Sequence, residues 1–387
     1  MARWILSFIT LLTIVFYLWC FSPGFTSTQD YSILFRGNTV QAATTTSELD
    51  DGPYAFFSDA AQQVDLKWVC DNQVIYKQQP VTSTIKAVCA YSKDITLQVQ
   101  HTVAPELKYT AEQVAVISDI HGQFRIMTEL LQANGITDDN LNWSFGDGHL
   151  VIAGDVMDRG DKVTESLWLL YQLEQQAEQA GGKVHLLLGN HETMVFYNDL
   201  RYINKKYAQV AAMLGTDYSG LFAEDSVLGQ WLRTKPVLVQ VNDMLFMHGG
   251  LHPDYLALGM SMAEVNEQYR QSLGIAREKL RDVPVLNFLY GSLGPLWYRG
   301  YFRPENAITE PLLEQLLTTL NVSRIVVGHT SMEGVFSHFG GRVISVDSNI
   351  KRGTSGEILL WNAGVLQRGT LSGERLPMRP LPATIGH

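Results

Sequence analysis

Leu150-Val151-Ile152-Ala153-Gly154-Asp155-Val156-Met157-Asp158-Arg159-Gly160 runs from four unbroken apolar residues straight into glycine and charge. An apolar run without polar alternation suits a strand covered on both faces. The same form recurs along the chain. Val114-Ala115-Val116-Ile117 leads into Ser118-Asp119-Ile120-His121-Gly122, and Val184-His185-Leu186-Leu187-Leu188 into Gly189-Asn190-His191-Glu192. Leu245-Phe246-Met247 leads into His248-Gly249-Gly250-Leu251, and Ile325-Val326-Val327 into Gly328-His329-Thr330. A further run, Val343 to Val346, has the same apolar character. Between such runs, Glu165 to Ala180 carries Leu167, Leu170, Tyr171 and Leu173 at helical spacing. Strands and helices in alternation predict an α/β protein, layered, with central β-sheets flanked by helices. Asn142 to Leu150, with Gly146-Asp147-Gly148 at its middle, reads as a hairpin.

Working outward, this α/β domain spans residues 110–387. Upstream, residues 44–109 read as a small β-rich appendage, with strands expected at Lys67–Cys70, Gln73–Tyr76, Thr84–Val88 and Ile95–Val99. Thr26 to Asp51 lacks periodicity and reads as a linker. Arg3 precedes an apolar run from Trp4 to Phe21 that is broken only by Ser7, Thr10 and Thr13. A basic residue before a long apolar segment marks residues 1–43 as a secretory signal or a membrane anchor with its linker. Ala42 or Ala43 offers a small-residue cleavage site. The chain is therefore expected to be exported, periplasmic or secreted. Uncleaved, residues 4–21 would anchor it to a membrane facing out of the cytoplasm.

A charged content of 18% and a hydrophobic content of 46% describe a globular chain, not a disordered one. The net charge of −10, with no basic stripe, argues against nucleic acid as a partner. Of the three cysteines, Cys20 ends the hydrophobic run. Cys70 and Cys89 are left either as a disulfide or as two separately buried thiols.

Strand ends in an α/β sheet are where loops converge on ligands. Carboxylates, an amide and imidazoles gathered on one such edge make a polynuclear metal site. Two divalent ions roughly 3.5–4 Å apart, bridged by one carboxylate, could share a hydroxide and clamp a phosphoryl group. The absence of Cys from the set favours Mn, Fe or Zn. Each motif alone is weak, since Asp-x-His is common and Gly-Asn-His-Glu could be a helix cap. Together, each after a buried strand, they carry the reading. His101, His149, His185, His252, His338 and His387 lack this context and read as structural or surface residues.

The set Asp119-x-His121, Gly154-Asp155-x-x-Asp158-Arg159-Gly160, Gly189-Asn190-His191-Glu192, His248-Gly249-Gly250-Leu251 and Gly328-His329-Thr330 resembles the phosphoprotein phosphatases within the calcineurin-like metallophosphoesterases, over roughly residues 110–350. Leu188, Asp199-Leu200-Arg201-Tyr202 and Pro295-Leu296-Trp297-Tyr298-Arg299-Gly300 resemble the bacterial, Shewanella-like branch, which includes tyrosine phosphatases. The resemblance implies two divalent metal ions. Asp119, His121 and Asp155 would hold the first, with Asp155 bridging, and Asn190, His248 and His329 the second. His191 would be the general acid, oriented by Asp158. Arg159 and Arg299 would clamp phosphate, with Arg201 as a further substrate contact. The implied activity is hydrolysis of phosphoproteins or phosphopeptides, phosphotyrosine favoured, by direct attack of a metal-bound hydroxide. No Cys-x5-Arg loop exists to support a cysteinyl-phosphate route. The resemblance departs from the eukaryotic enzymes at Leu188, where they usually carry Arg, and over Ile344–Ser348.

Two other readings stand beside this one. A nucleotide-directed pyrophosphatase or phosphodiesterase could use the same metal centre. A non-catalytic extracytoplasmic binding protein could keep the metals for folding, but His191, Asp158 and two arginines beside the ligands exceed what that role requires.

Overall fold

The computed structural model describes residues 48–58 and 62–381, together with two short strands further upstream. Those two, β1 (Ser32–Ile33) and β2 (Ala42–Ala43), pair antiparallel, so the stretch read as a linker holds one local pairing. The apolar run from Trp4 to Phe21 and His387 lie outside the described residues. Among the described residues no helix is long and apolar enough to cross a membrane.

β3 (Asp51–Phe57), β4 (Gln63–Cys70) and β5 (Gln73–Pro80) form a three-stranded antiparallel sheet. Asp51, read as the end of the linker, instead opens this sheet. The strands expected at Thr84–Val88 and Ile95–Val99 do not form beyond a single bridge between Ile85 and Ile95. Their polar groups find side-chain partners instead. Ala87 N donates to Asp94 Oδ1 (3.1 Å), Gln98 N to the Tyr171 hydroxyl (2.8 Å), and Gln172 Nε2 to Asp94 O (2.7 Å). Backbone satisfied in this way has no need of a ladder.

The remaining strands, in chain order, are β6 (Lys108–Tyr109), β7 (Gln113–Ile117), β8 (His149–Ile152), β9 (Lys183–Leu186), β10 (Val239–Val241) and β11 (Met244–Met247). After them come β12 (Arg324–Val327), β13 (Phe336–His338), β14 (Val343–Ser345), β15 (Ile358–Asn362), β16 (Val365–Gly369) and β17 (Arg375–Pro377). They build two six-stranded mixed sheets, ordered β17-β16-β15-β7-β8-β9 and β13-β14-β12-β11-β10-β6. The continuous apolar runs now have a cause. Val114, Val116, Val151, Met244, Phe246, Val326 and Ile344 share one core between the sheets. Their neighbours Ala115, Ile117, Leu150, Ile152, Leu245, Met247, Ile325, Val327 and Val343 belong to the outer core. Alternate residues therefore bury in different layers, and neither face can be polar.

The expected hairpin over Asn142–Leu150 is not found. β8 pairs parallel with β7 and β9, and the reversal comes earlier, with Ser144 N donating to Ile136 O (3.0 Å). The Asp138 carboxylate fixes that turn by accepting from Asn140 N (2.9 Å) and Asn142 N (2.8 Å).

Residues 49 onward form one compact unit, and the boundary drawn at residue 110 does not divide the core. β6 (Lys108–Tyr109) ends just before it and pairs with β10 beyond it. Asp51 is fully buried: its Oδ2 accepts from the Tyr54 hydroxyl and from Thr164 Oγ1 (3.3 Å), and Lys206 Nζ lies 3.3 Å from its Oδ1. Lys206 Nζ also donates to Asp161 O (2.8 Å), and Asn204 Nδ2 donates to Arg159 O (2.9 Å). β3 thus leans on the loop that carries Asp158 and Arg159.

Cys70 and Cys89 form a disulfide, settling the open pairing, with a sequence separation of 19. Closing a loop of that length restricts the unfolded chain by about 3 kcal/mol. Denaturant unfolding with and without reductant is expected to differ by about that amount, with the metal centre unaffected at temperatures where the reduced protein stays folded.

Candidate metal centre

Five loops reach one edge, three from the sheet containing β7, β8 and β9 and two from the sheet containing β11 and β12. They bring Asp119, His121, Asp155, Asn190, His191, His248 and His329 together, each at most 6% exposed. The backbone is bent to do it. Asp119, His121, Asp155, Asp158, Arg159 and His329 all have φ between 47° and 70°, a conformation that costs non-glycine residues roughly 1–2 kcal/mol each. Strain held in so many neighbours is the mark of a site whose side-chain directions matter more than local comfort. Gly154 (φ 87°) is required where the two sheets meet, because a Cβ there would stand 2.7 Å from Gly189 Cα and 2.8 Å from His248 Nδ1.

Hydrogen bonds fix which imidazole nitrogens face inward. His121 Nδ1 donates to Met157 O (2.7 Å) and His248 Nδ1 to Ala153 O (2.8 Å). In the neutral ring the lone pair is then on Nε2. His121 Nε2 lies 3.6 Å from Asp155 Oδ2 and 3.9 Å from Asp119 Oδ1. His248 Nε2 lies 3.1 Å from Asp155 Oδ2, 2.9 Å from Asn190 Oδ1 and 3.1 Å from His329 Nδ1. Lone pairs thus meet lone pairs among buried side chains, an arrangement that needs a cation between them. Burial alone would lower the His248 pKa, but the Asp155 charge overrides it and lifts it to about 9. Burial pushes His121 down to about 3. His329 Nε2 is buried without a hydrogen-bond partner. The donors fit two divalent cations: His121, Asp155 and His191 form one set, Asp155, His248 and His329 another, and within each the ligand atoms lie within 4.8 Å of one another. Asp155 belongs to both.

Asp119 turns Oδ2 away to accept from Ser118 Oγ (2.6 Å) and His329 N (2.9 Å), leaving Oδ1 toward His121. His191 Nδ1 is bonded to Asp158 Oδ2 (2.6 Å), while its Nε2 lies 3.8 Å from Asp155 Oδ2 and 3.5 Å from Arg159 Nη2. Burial acts to lower the His191 pKa, but Asp155 and Asp158 outweigh it and the ring is held above its ordinary value. Arg159 also donates through Nε toward His121 Nε2 (3.3 Å). Arg299 is half-buried within the field of Asp119, Asp155 and Asp347, and among the described residues its guanidinium has no hydrogen bond or ion pair. It is free to take an anion. Arg201 is not brought in the same way: it is exposed and bidentate on Asp199, with both contacts at 2.7 Å. Its fork is already used.

Three groups at the site are given no role by the sequence reading. Glu192, fully buried, accepts from the backbone N–H groups of Asp155 (2.9 Å), Val156 (2.8 Å), Met157 (3.0 Å) and Gly189 (2.7 Å). It ties the Asp155 loop to the Asn190–Phe196 helix. Its place in the Gly-Asn-His-Glu motif is the only hint. Glu192→Gln puts an N–H₂ against those donors; metal affinity is expected to fall on the order of 10–100-fold, read by titration calorimetry. Tyr202 lies against His191 (5.1 Å between ring centroids), and Trp297 against His329 (5.7 Å). His149 and His185, by contrast, bond each other (3.0 Å) beside Tyr109, away from the site, as the structural reading has it.

Residues 113–332 match the family described as calcineurin-like phosphoesterase. The cold-active protein-tyrosine phosphatase of a psychrophilic Shewanella species superposes with a TM-score of 0.81 at 39% identity, covering 85% of this chain and 99% of that one. An uncharacterised protein of Schizosaccharomyces pombe is 29% identical over 66% of this chain and 78% of its own length. Shewanella-like protein phosphatase 2 of Arabidopsis thaliana is 24% identical over 62% of this chain and 72% of its own.

Proposed function

The chain belongs to the calcineurin-like phosphoesterase family, whose members are metal-dependent hydrolases, and from that premise we propose that it is a two-metal phosphomonoesterase of phosphoproteins or phosphopeptides, phosphotyrosine preferred. The observation that carries the reading is Asp155, one carboxylate belonging to two separate sets of imidazoles. Similarity to protein phosphatases, one of them a tyrosine phosphatase, supports the substrate class.

Asp119, His121 and Asp155 would hold one ion, and Asp155, Asn190, His248 and His329 the other. Mn, Fe or Zn suits these nitrogen and oxygen donors. When bound, such ions activate water for direct attack and neutralise phosphoryl charge. The residues of the chain do the rest. Arg299 and Arg159 hold the phosphate oxygens in a fork geometry. His191, oriented through Nδ1 by Asp158, gives its Nε2 proton to the departing oxygen. The bent loops hold these groups in place before substrate arrives, so little reorganisation is needed during reaction.

Export through the Trp4–Phe21 segment completes the reading. The Cys70–Cys89 disulfide supports it, since such bonds persist in oxidising compartments.

The test is phosphate release from phosphotyrosine, phosphoserine and phosphothreonine peptides by the protein stripped of metal and then titrated with Mn. Metal-dependent release, fastest from phosphotyrosine, is expected. No release from any peptide, with turnover of a dinucleoside polyphosphate instead, would move the chain to the nucleotide-directed reading.

A further inference from the structure

We propose that Tyr202 is the specificity-determining contact for the aromatic leaving group, packing against the phosphotyrosine ring as it departs; the inference rests on the phosphomonoesterase reading above. Tyr202 is 41% exposed, in a site otherwise lined by buried groups, and its ring lies 5.1 Å from that of His191. Its position is pinned rather than incidental. Its carbonyl accepts from Arg159 N (2.9 Å), and the guanidinium carbons of Arg159 and Arg201 stand 5.2 Å and 5.6 Å from its ring centroid. Arg201 is in turn held by Asp199, which also lies 4.0 Å from Arg277. The bidentate pair that removes Arg201 from direct substrate contact thus gives it another use, as a brace for the ring.

The location follows from the chemistry of the leaving group. Because His191 Nδ1 is committed to Asp158, only Nε2 can protonate the departing oxygen. That oxygen must come within about 2.6–3.2 Å of Nε2. The carbon attached to it then begins beside the His191 ring. In phosphotyrosine that carbon opens an aromatic ring, which meets Tyr202; in phosphoserine and phosphothreonine it is a single tetrahedral carbon followed by backbone. An aromatic pair is worth roughly two- to tenfold in kcat/KM beyond simple burial. Tyr202 gives that gain to one substrate class only.

The experiment compares wild type, Tyr202→Leu and Tyr202→Phe, all loaded with Mn, on one peptide sequence bearing phosphotyrosine, phosphoserine or phosphothreonine. Melting temperature confirms that each variant is folded. Tyr202→Leu is expected to lower the phosphotyrosine-to-phosphoserine ratio of kcat/KM about two- to tenfold, the size of one aromatic pair, and Tyr202→Phe to keep the wild-type ratio. An unchanged ratio in Tyr202→Leu overturns the proposal. So does an equal loss on all three peptides, which would assign Tyr202 to bracing Arg159 alone. Wild type that releases no phosphate from any peptide removes the phosphomonoesterase reading itself, a result visible before any variant is compared.

Discussion

Asp155→Asn is expected to empty the metal centre and to lower turnover by on the order of 10³-fold or more, since metals contribute several kcal/mol of transition-state stabilisation. The change is nearly isosteric, so its effect is one of charge and donor count. Asp155 Oδ2 faces three imidazoles at once, at 3.6 Å from His121, 3.8 Å from His191 and 3.1 Å from His248. Its other oxygen accepts from His191 N (3.0 Å), which keeps the carboxylate from rotating. Burial by itself would raise the carboxyl pKa, but the surrounding imidazoles hold it well below the usual range. An amide keeps the hydrogen bond and loses the bridging charge. Metal content after dialysis, measured alongside activity, checks the prediction. Full metal occupancy in the variant would remove Asp155 from the bridging position.

His191→Ala is expected to act differently, slowing turnover by roughly 10²–10⁴-fold while most metal is retained. The ring is tied to Asp158 through Nδ1 and its pKa is raised by Asp155 and Asp158, as a proton donor requires. Its Nε2 is near enough to Asp155 to serve as a ligand as well. The two roles separate by measurement. A donor lost leaves metal content near wild type and spares substrates whose leaving group needs no proton, such as a nitrophenyl phosphate. A ligand lost lowers metal content as far as Asp155→Asn does, and equal losses in the two variants would make His191 a ligand first.

Most of the cluster's convergence was legible because each member directly follows a strand buried on both faces. The pattern that makes the strand apolar also marks where its loop begins, and so where Asp119, Asp155, Asn190, His248 and His329 converge. Glu192 was not legible in the same way. A carboxylate that solvates four backbone amides is chemically identical in sequence to one on a surface helix, and only burial separates them. Arg201 differs from the others. The resemblance implies a further substrate contact there, but in the structure Asp199, two residues before it, holds the same fork. The β-rich region was over-read for a related reason. Thr84–Val88 has strand composition, yet side chains from the Val163–Gln179 helix and from Asp94 offered its neighbourhood a cheaper set of hydrogen bonds.

The buried Asp51 has a consequence for where this protein can be cut. The segment matched to the family begins at residue 113, which invites trimming to that point. Such a deletion would leave Lys206 without its anion and Trp168 Nε1 without the Pro53 carbonyl that it now reaches at 2.9 Å. Trp168, Leu167 and Tyr171, now fully or almost fully buried, would lose the cover of Tyr54, Leu66 and Trp68 within the same core. A fragment that keeps this core whole therefore starts near residue 49. The leading strands are walls of the same building, not an annex that can be detached from it.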